Sequence, residues 1–162
     1  MAVYVHGGAF LGGAGSNLPF VCTELVKTGV IVVTINYRLG ALGFLYHPLL
    51  GENLGNLGLW DQLEAFYWVK ENIADFGGDE NNITVFGQSA GAMSLQTLAV
   101  TTQAKGLFEK MIMQSGGGYK CQLGAVRSKD EASEIAEDFF EFLGVEKGFM
   151  KDEDSRQAAL DV

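Results

Sequence analysis

Cysteine is almost missing from this chain: Cys22 and Cys121 are its only two. That excludes a disulfide framework, offers no metal-ligand spacing and suits a reducing compartment. Neither a metal nor any other cofactor is expected. Basic residues are also short, with 11 Lys and Arg against 20 Asp and Glu and a formal net charge of -9. Eleven of the acidic residues follow Ser128, so the acidity is a solvated C-terminal feature. Nucleic acid and anionic membrane surfaces are therefore not expected partners. No apolar run approaches the roughly 18 residues of a membrane span. Met1 leads straight into Ala2-Val3-Tyr4-Val5 with no basic leader, so no signal peptide is expected and a cytoplasmic location is. Asn82-Ile83-Thr84 matches a glycosylation acceptor but falls in a strand-like run, where the match is coincidental.

What is present is apolar and rich in glycine. Hydrophobic residues make up 48% and charged residues 19%, a globular balance, and 162 residues fit one domain. The 22 glycines follow no period, so they mark tight turns and close backbone approaches. Ala2 to His6 reads as a strand running into the glycine-rich loop His6–Gly15. Leu18 to Lys27 reads as a helix ending at Gly29, and the β-branched run Val30–Ile35 as a strand buried on both faces. Asn36 to Asn56 is too long for a simple loop and is expected to pack as a structured surface segment.

Leu59 to Phe76 reads as a helix that buries Leu59, Leu63, Phe66, Tyr67 and Ile73 and is stopped by Gly77-Gly78. Asn82 to Phe86 is a strand, Ala92 to Ala99 a helix, and Phe108 to Gln114 another strand ending in Ser115-Gly116-Gly117-Gly118. Ser128-Lys129-Asp130-Glu131 is a capping-box signature that opens a helix with Ile135, Phe139, Phe142 and Leu143 on one face. The charged last dozen residues are compatible with the start of another helix. This alternation predicts an α/β fold with a mainly parallel, doubly covered sheet.

Two stretches carry chemistry. Gly87-Gln88-Ser89-Ala90-Gly91 sits between a strand and a helix, the setting of the nucleophile elbow of an α/β-hydrolase. The glycines allow the sharp bend, and the serine stands at the positive end of the following helix. A structural turn is the plainer reading of the pentapeptide alone. The loop His6–Gly15 lacks the phosphate-binding G-x-x-x-x-G-K-[ST] pattern, and no lysine follows until Lys27. It suits an oxyanion hole, with backbone N–H groups turned inward where no Cβ obstructs them; a flexible connection is the plainer alternative.

Five stretches in order resemble the type B carboxylesterases, the cholinesterase-like branch of the α/β-hydrolases. They are His6-Gly7-Gly8-Ala9-Phe10, Thr34 to Gly40, Gly55 to Gln62, Phe76 to Asp79 and Phe86 to Gly91. The resemblance runs from Val3 to about Gly118. It implies a serine carboxylic-ester hydrolase on small-molecule esters, with Ser89 as nucleophile and Gly8, Ala9 and Ala90 as oxyanion-hole donors. Ala9 stands where the family loop has a third glycine. Gln88 stands where cholinesterases carry glutamate, which argues against a choline-type cationic substrate. By the same resemblance Ser115 matches a buried supporting serine, and Arg38 and Asp61 match a structural ion pair.

Acyl transfer by serine needs a base, and the family order is serine, acid, histidine. Both histidines, His6 and His47, precede Ser89. The expectation is an incomplete α/β-hydrolase domain over residues 1–162, carrying central strands of the sheet and completed by a remainder that supplies the acid and the imidazole. Val30–Ile35 and Lys110–Gln114 should then lie at opposite, unprotected edges. A non-catalytic binding module of the same fold, or thioesterase or amidase chemistry on the same elbow, are the alternatives.

Overall fold

The computed structural model describes residues 1–17, 22–51, 54–116 and 127–145. Strand β1 (Ala2–Val5) is the centre of the molecule, with all four residues buried. It pairs in parallel with β2 (Val32–Thr34) on one side and β3 (Thr84–Gln88) on the other, Val3 standing opposite both Val33 and Val85. Strand β4 (Lys110–Gln114) adds in parallel to β3, giving the order β2-β1-β3-β4. The runs foreseen as edges are the edges.

Parallel neighbours need crossovers, and helices provide them. Helix α1 (Thr23–Val26) lies between β1 and β2, α3 (Leu57–Asn72) between β2 and β3, and α4 (Ala90–Leu98) between β3 and β4. Val3, Val5 and Val85 point into one apolar core with Leu63, Phe66 and Val69 of α3 and Leu95 and Leu98 of α4. The opposite sheet face carries Tyr4 against Phe86, ring centroids 5.0 Å apart. Helix α3 ends in a 3-10 turn (Ile73–Phe76) at Gly77, whose φ of 79° is the left-handed cap that glycine adopts without strain. Leu63, Phe66 and Ile73 are buried as foreseen; Tyr67 is exposed, its hydroxyl donating to the Gln103 carbonyl at 2.8 Å.

Two expectations are corrected. The Val30–Ile35 run forms a strand of three residues, half-buried or exposed rather than covered on both faces. β-branching reports that a residue suits a pleated surface, not how many layers cover it. Helix α5 (Lys129–Phe142) has the foreseen capping box, Ser128 Oγ accepting from the Glu131 amide at 3.2 Å and Glu131 Oε2 accepting from the Ser128 amide at 2.8 Å. Its expected apolar face is not the docked one: Ile135, Phe142 and Leu143 are exposed and Ala136 is buried. The helix is turned by its polar contacts with the connection between β2 and α3. His47 Nε2 lies 3.0 Å from Glu137 Oε1, the Phe140 ring meets His47 edge-on at 6.0 Å, and Lys129 Nζ sits 5.7 Å over Tyr46.

The connection is structured where described, with α2 (Gly40–Phe44) and a 3-10 turn (Pro48–Leu50). Of the helix expected over Leu18–Lys27 only α1 is seen; residues 18–21 lie outside the described residues, as do Cys121, Gly117 and Gly118 and the last dozen residues. Among the described residues no helix is long and apolar enough to cross a membrane.

Candidate active site at the end of strand β3

Ser89 joins β3 to α4 with φ 54° and ψ -121°, a backbone conformation that side-chain-bearing residues rarely adopt. Its surroundings hold it there. The Ser89 amide donates to the Gln114 carbonyl of β4 at 2.8 Å, and its carbonyl accepts from the Met93 amide at 3.0 Å. The flanking glycines explain how close the chain can fold. A Cβ on Gly87 would lie 2.7 Å from the Gly91 carbonyl carbon, and one on Gly91 only 2.1 Å from the Val5 carbonyl oxygen. The first turn of α4 thus lies directly on the end of β1. Ala90, first residue of that turn, has an amide with no acceptor within its own helix.

The glycine loop arrives from β1 on the same spot. A Cβ on Gly7 would stand 2.6 Å from the Gln88 carbonyl oxygen, 3.0 Å from Gln88 Oε1 and 3.1 Å from Ser89 Cβ. The loop therefore begins in contact with the serine, and Gln88 folds against it. Gly8, Ala9 and Phe10 follow with φ of 123°, 55° and 63°. This run curls the chain so that the Gly8 carbonyl accepts from the amides of Leu11 and Gly12 at 3.0 and 3.1 Å. Ala9 at φ 55° lies in the left-handed region, at a cost of about 1 kcal/mol for a residue with a Cβ. No main-chain bond among the described residues is donated by the amides of Gly8 or Ala9.

Packing behind the loop fixes it. The Phe10 carbonyl accepts from the Gly40 amide at 2.7 Å, and its ring meets Phe44 at 5.0 Å in an edge-on pair. Helix α2 is in turn tied to α3, because Arg38 Nη2 and Nε lie 2.6 and 2.8 Å from the Asp61 carboxylate, which also accepts from the Arg38 amide at 2.9 Å. The hydrogen bonds from Arg38 hold the Asp61 carboxyl below the usual range against the opposing effect of its partial burial. A depressed carboxyl contributes stability that is present above its unfolded value and lost as pH falls through its folded value. Asp61→Asn should therefore lower the melting temperature at pH 7 and flatten its decline below about pH 4, which thermal melts across that range will show. The exposed guanidinium limits the effect to a small one.

His6 and Tyr37 belong to this site, although no sequence signal singled out their contacts. His6 is buried, with Nδ1 2.8 Å from the Gly7 carbonyl oxygen. Its ring stacks on Tyr37 at 4.4 Å, and the Tyr37 hydroxyl donates to the His6 carbonyl at 2.7 Å. Burial pushes the Tyr37 phenol up to about 12, so it stays a donor. Gln62 of α3 and Ser94 of α4 form a second buried polar pair at 3.2 Å.

Ser115 corrects an expectation: it is exposed, not buried, at φ 52°. β4 is an edge strand, and Ser115 follows Gln114, whose carbonyl accepts from the Ser89 amide. Neither histidine hydrogen-bonds to Ser89 among the described residues, His47 being occupied with Glu137. No group of three or more His, Cys, Asp or Glu side chains able to hold a metal occurs among them.

Comparison with known proteins agrees with this geometry. The profile of the Carboxylesterase family matches residues 1–156. The para-nitrobenzyl esterase of Bacillus subtilis (strain 168) is 47% identical over 148 residues, covering 90% of this chain and 29% of that protein. The fumonisin B1 esterase of Sphingopyxis macrogoltabida is 47% identical over 120 residues, 71% of this chain and 22% of that protein. Among solved structures, a thermophilic PNB esterase superposes with a TM-score of 0.81 at 42% identity, over 99% of this chain and 34% of that one. The juvenile hormone esterase of Manduca sexta gives 0.85 at 33% identity, over 99% and 29%. The chain thus spans about a fifth to a third of the length of these relatives.

Proposed function

We propose, from the premise that the chain belongs to the carboxylesterase family, that it carries the nucleophile and oxyanion-hole half of a serine carboxylic-ester hydrolase acting on small-molecule esters. The observation that carries the reading is Ser89 at φ 54° with Gly7 of the glycine loop packed on its Cβ. In this reading Ser89 Oγ attacks the ester carbonyl carbon, the carbonyl π pair moves onto oxygen, and the amides of Gly8, Ala9 and Ala90 receive that charge. Collapse of the tetrahedral intermediate expels the alcohol and leaves an acyl group on Ser89, which water then removes. Gln88 supports the loop by packing against Gly7, and Ser115 supports the strand end that holds the Ser89 amide. Arg38 and Asp61 brace the loop from behind and do not meet substrate.

The Ser89 proton needs an acceptor. Since this stretch covers 29% of the Bacillus subtilis relative, the acid and imidazole of the triad are assigned to the remainder of the hydrolase domain. The test uses the complete hydrolase, in which the acid and imidazole are present. A fluorophosphonate probe should label it stoichiometrically, with the adduct on Ser89 by peptide mass. Ser89→Ala and urea-unfolded protein should stay unlabelled. Label spread over other residues, or equal labelling of folded and unfolded protein, would remove the nucleophile assignment.

A further inference from the structure

We propose that His6 is a positioning residue that aims the Gly8 amide, an inference that rests on Gly8 being an oxyanion-hole donor. His6 Nδ1 lies 2.8 Å from the Gly7 carbonyl oxygen. A carbonyl oxygen can only accept, so Nδ1 carries the proton and donates it. The other ring nitrogen, Nε2, is buried and has no hydrogen-bond partner. A second proton there would place an unpaired charge in the interior, whereas a bare lone pair costs far less. The ring is therefore the neutral Nδ1–H tautomer.

The consequence runs through one peptide plane. No peptide bond among the described residues is cis. In a planar trans unit the Gly7 C=O and the Gly8 N–H point in opposite directions. Fixing the carbonyl on the imidazole fixes the amide away from it. Without that bond the Gly7–Gly8 unit, flanked by two glycines, is the part of the loop most free to rotate. The imidazole is itself held. It stacks on Tyr37 at 4.4 Å and 20°, and the Tyr37 hydroxyl binds its carbonyl. The returning end of the loop closes over it: at Gly13, φ 123°, a Cβ would stand 2.5 Å from Nδ1 and 2.5 Å from the Gly7 oxygen. One buried ring thus touches the start and the end of the loop.

Shape alone does not explain this arrangement. A phenylalanine would keep the stacking and leave the Gly7 oxygen without its donor. An asparagine amide reaches the place of Nδ1, and a glutamine amide reaches that of Nε2. With fluorophosphonate labelling of Ser89 in the complete hydrolase as readout, His6→Asn should react within about threefold of the unsubstituted protein. His6→Gln and His6→Phe should react about tenfold or more slowly, a part of the 100-fold or greater loss from removing a donor outright. A role in stability alone would make the rates follow the melting temperatures, and equal rates for the Asn and Gln variants would overturn the proposal.

Long-range proton–nitrogen NMR on the unsubstituted, imidazole-labelled chain needs no variant to fold. It should show the proton on Nδ1 and none on Nε2 at neutral pH; the opposite tautomer would also overturn the proposal. Should Ser89 take no label in the complete hydrolase, the nucleophile reading falls, and the tautomer still decides the bond between His6 and Gly7.

Discussion

Gly91→Ala should cost the chain about 3 kcal/mol or more, the upper end of what an overpacked interior position loses. The added methyl would stand 2.1 Å from the Val5 carbonyl oxygen, 2.8 Å from its carbon and 2.9 Å from the His6 carbonyl oxygen. All three atoms are main chain, so no rotamer change relieves the clash. Nor can β1 retreat, because Val5 pairs with Gly87 and the strand is fixed on both sides. The remaining route is for α4 to lift, which breaks the contacts of Leu95 and Leu98 with the core. Against a total stability of about 5–15 kcal/mol, such a loss is large. Gly12→Ala is the control: nothing lies within 4 Å of its Cβ, and the change should be nearly silent. Urea denaturation of the pair will decide. A Gly91→Ala midpoint equal to that of Gly12→Ala would mean that α4 does not rest on the end of β1.

The sites of closest packing were the legible ones, because the chemistry of glycine is local. Gly77 at a helix end, and Gly87 and Gly91 around a serine, each answer a requirement that a few residues can express. The capping box of Ser128 and Glu131 is local in the same sense. The parallel sheet followed from the alternation of elements, and its two edge runs from the expectation of an incomplete domain. Arg38 and Asp61, well apart in the chain, were paired through the resemblance to a family, and the hydrogen bonds between them agree.

What stayed illegible depended on contacts between distant stretches. Val30–Ile35 looks covered on both faces because its side chains are β-branched, yet what covers a strand is a property of its neighbours. Ile135, Phe139, Phe142 and Leu143 share a helical stripe, but α5 docks through Ala136, Glu137 and Phe140 because His47 and Tyr46 offer specific partners. His6 belonged to a recognised loop, and nothing in its immediate sequence announces that Tyr37 will stack on it. Ser115 is exposed because burial at a strand end is decided by what packs beside the strand.

Turnover of p-nitrophenyl butyrate by the 162-residue chain should be negligible, even though Ser89 and its loop are in place. A serine hydroxyl is a poor nucleophile until a base takes its proton. The chain has two imidazoles, and both are committed elsewhere. His47 is buried against Glu137 and Phe140, while His6 spends Nδ1 on the Gly7 carbonyl and stacks on Tyr37. Loss of the histidine alone in subtilisin lowers kcat by roughly 10⁶, leaving about 10³–10⁴ over water from the oxyanion hole and binding. Against a typical kcat of about 10 s⁻¹, the expected rate is far below one turnover per hour. Because that residual comes from the oxyanion hole and binding, His47→Ala and Ser89→Ala should both leave it nearly unchanged. A rate of even about one per second, abolished by Ser89→Ala, would show that a group within this chain takes the proton; sensitivity to His47→Ala would name it.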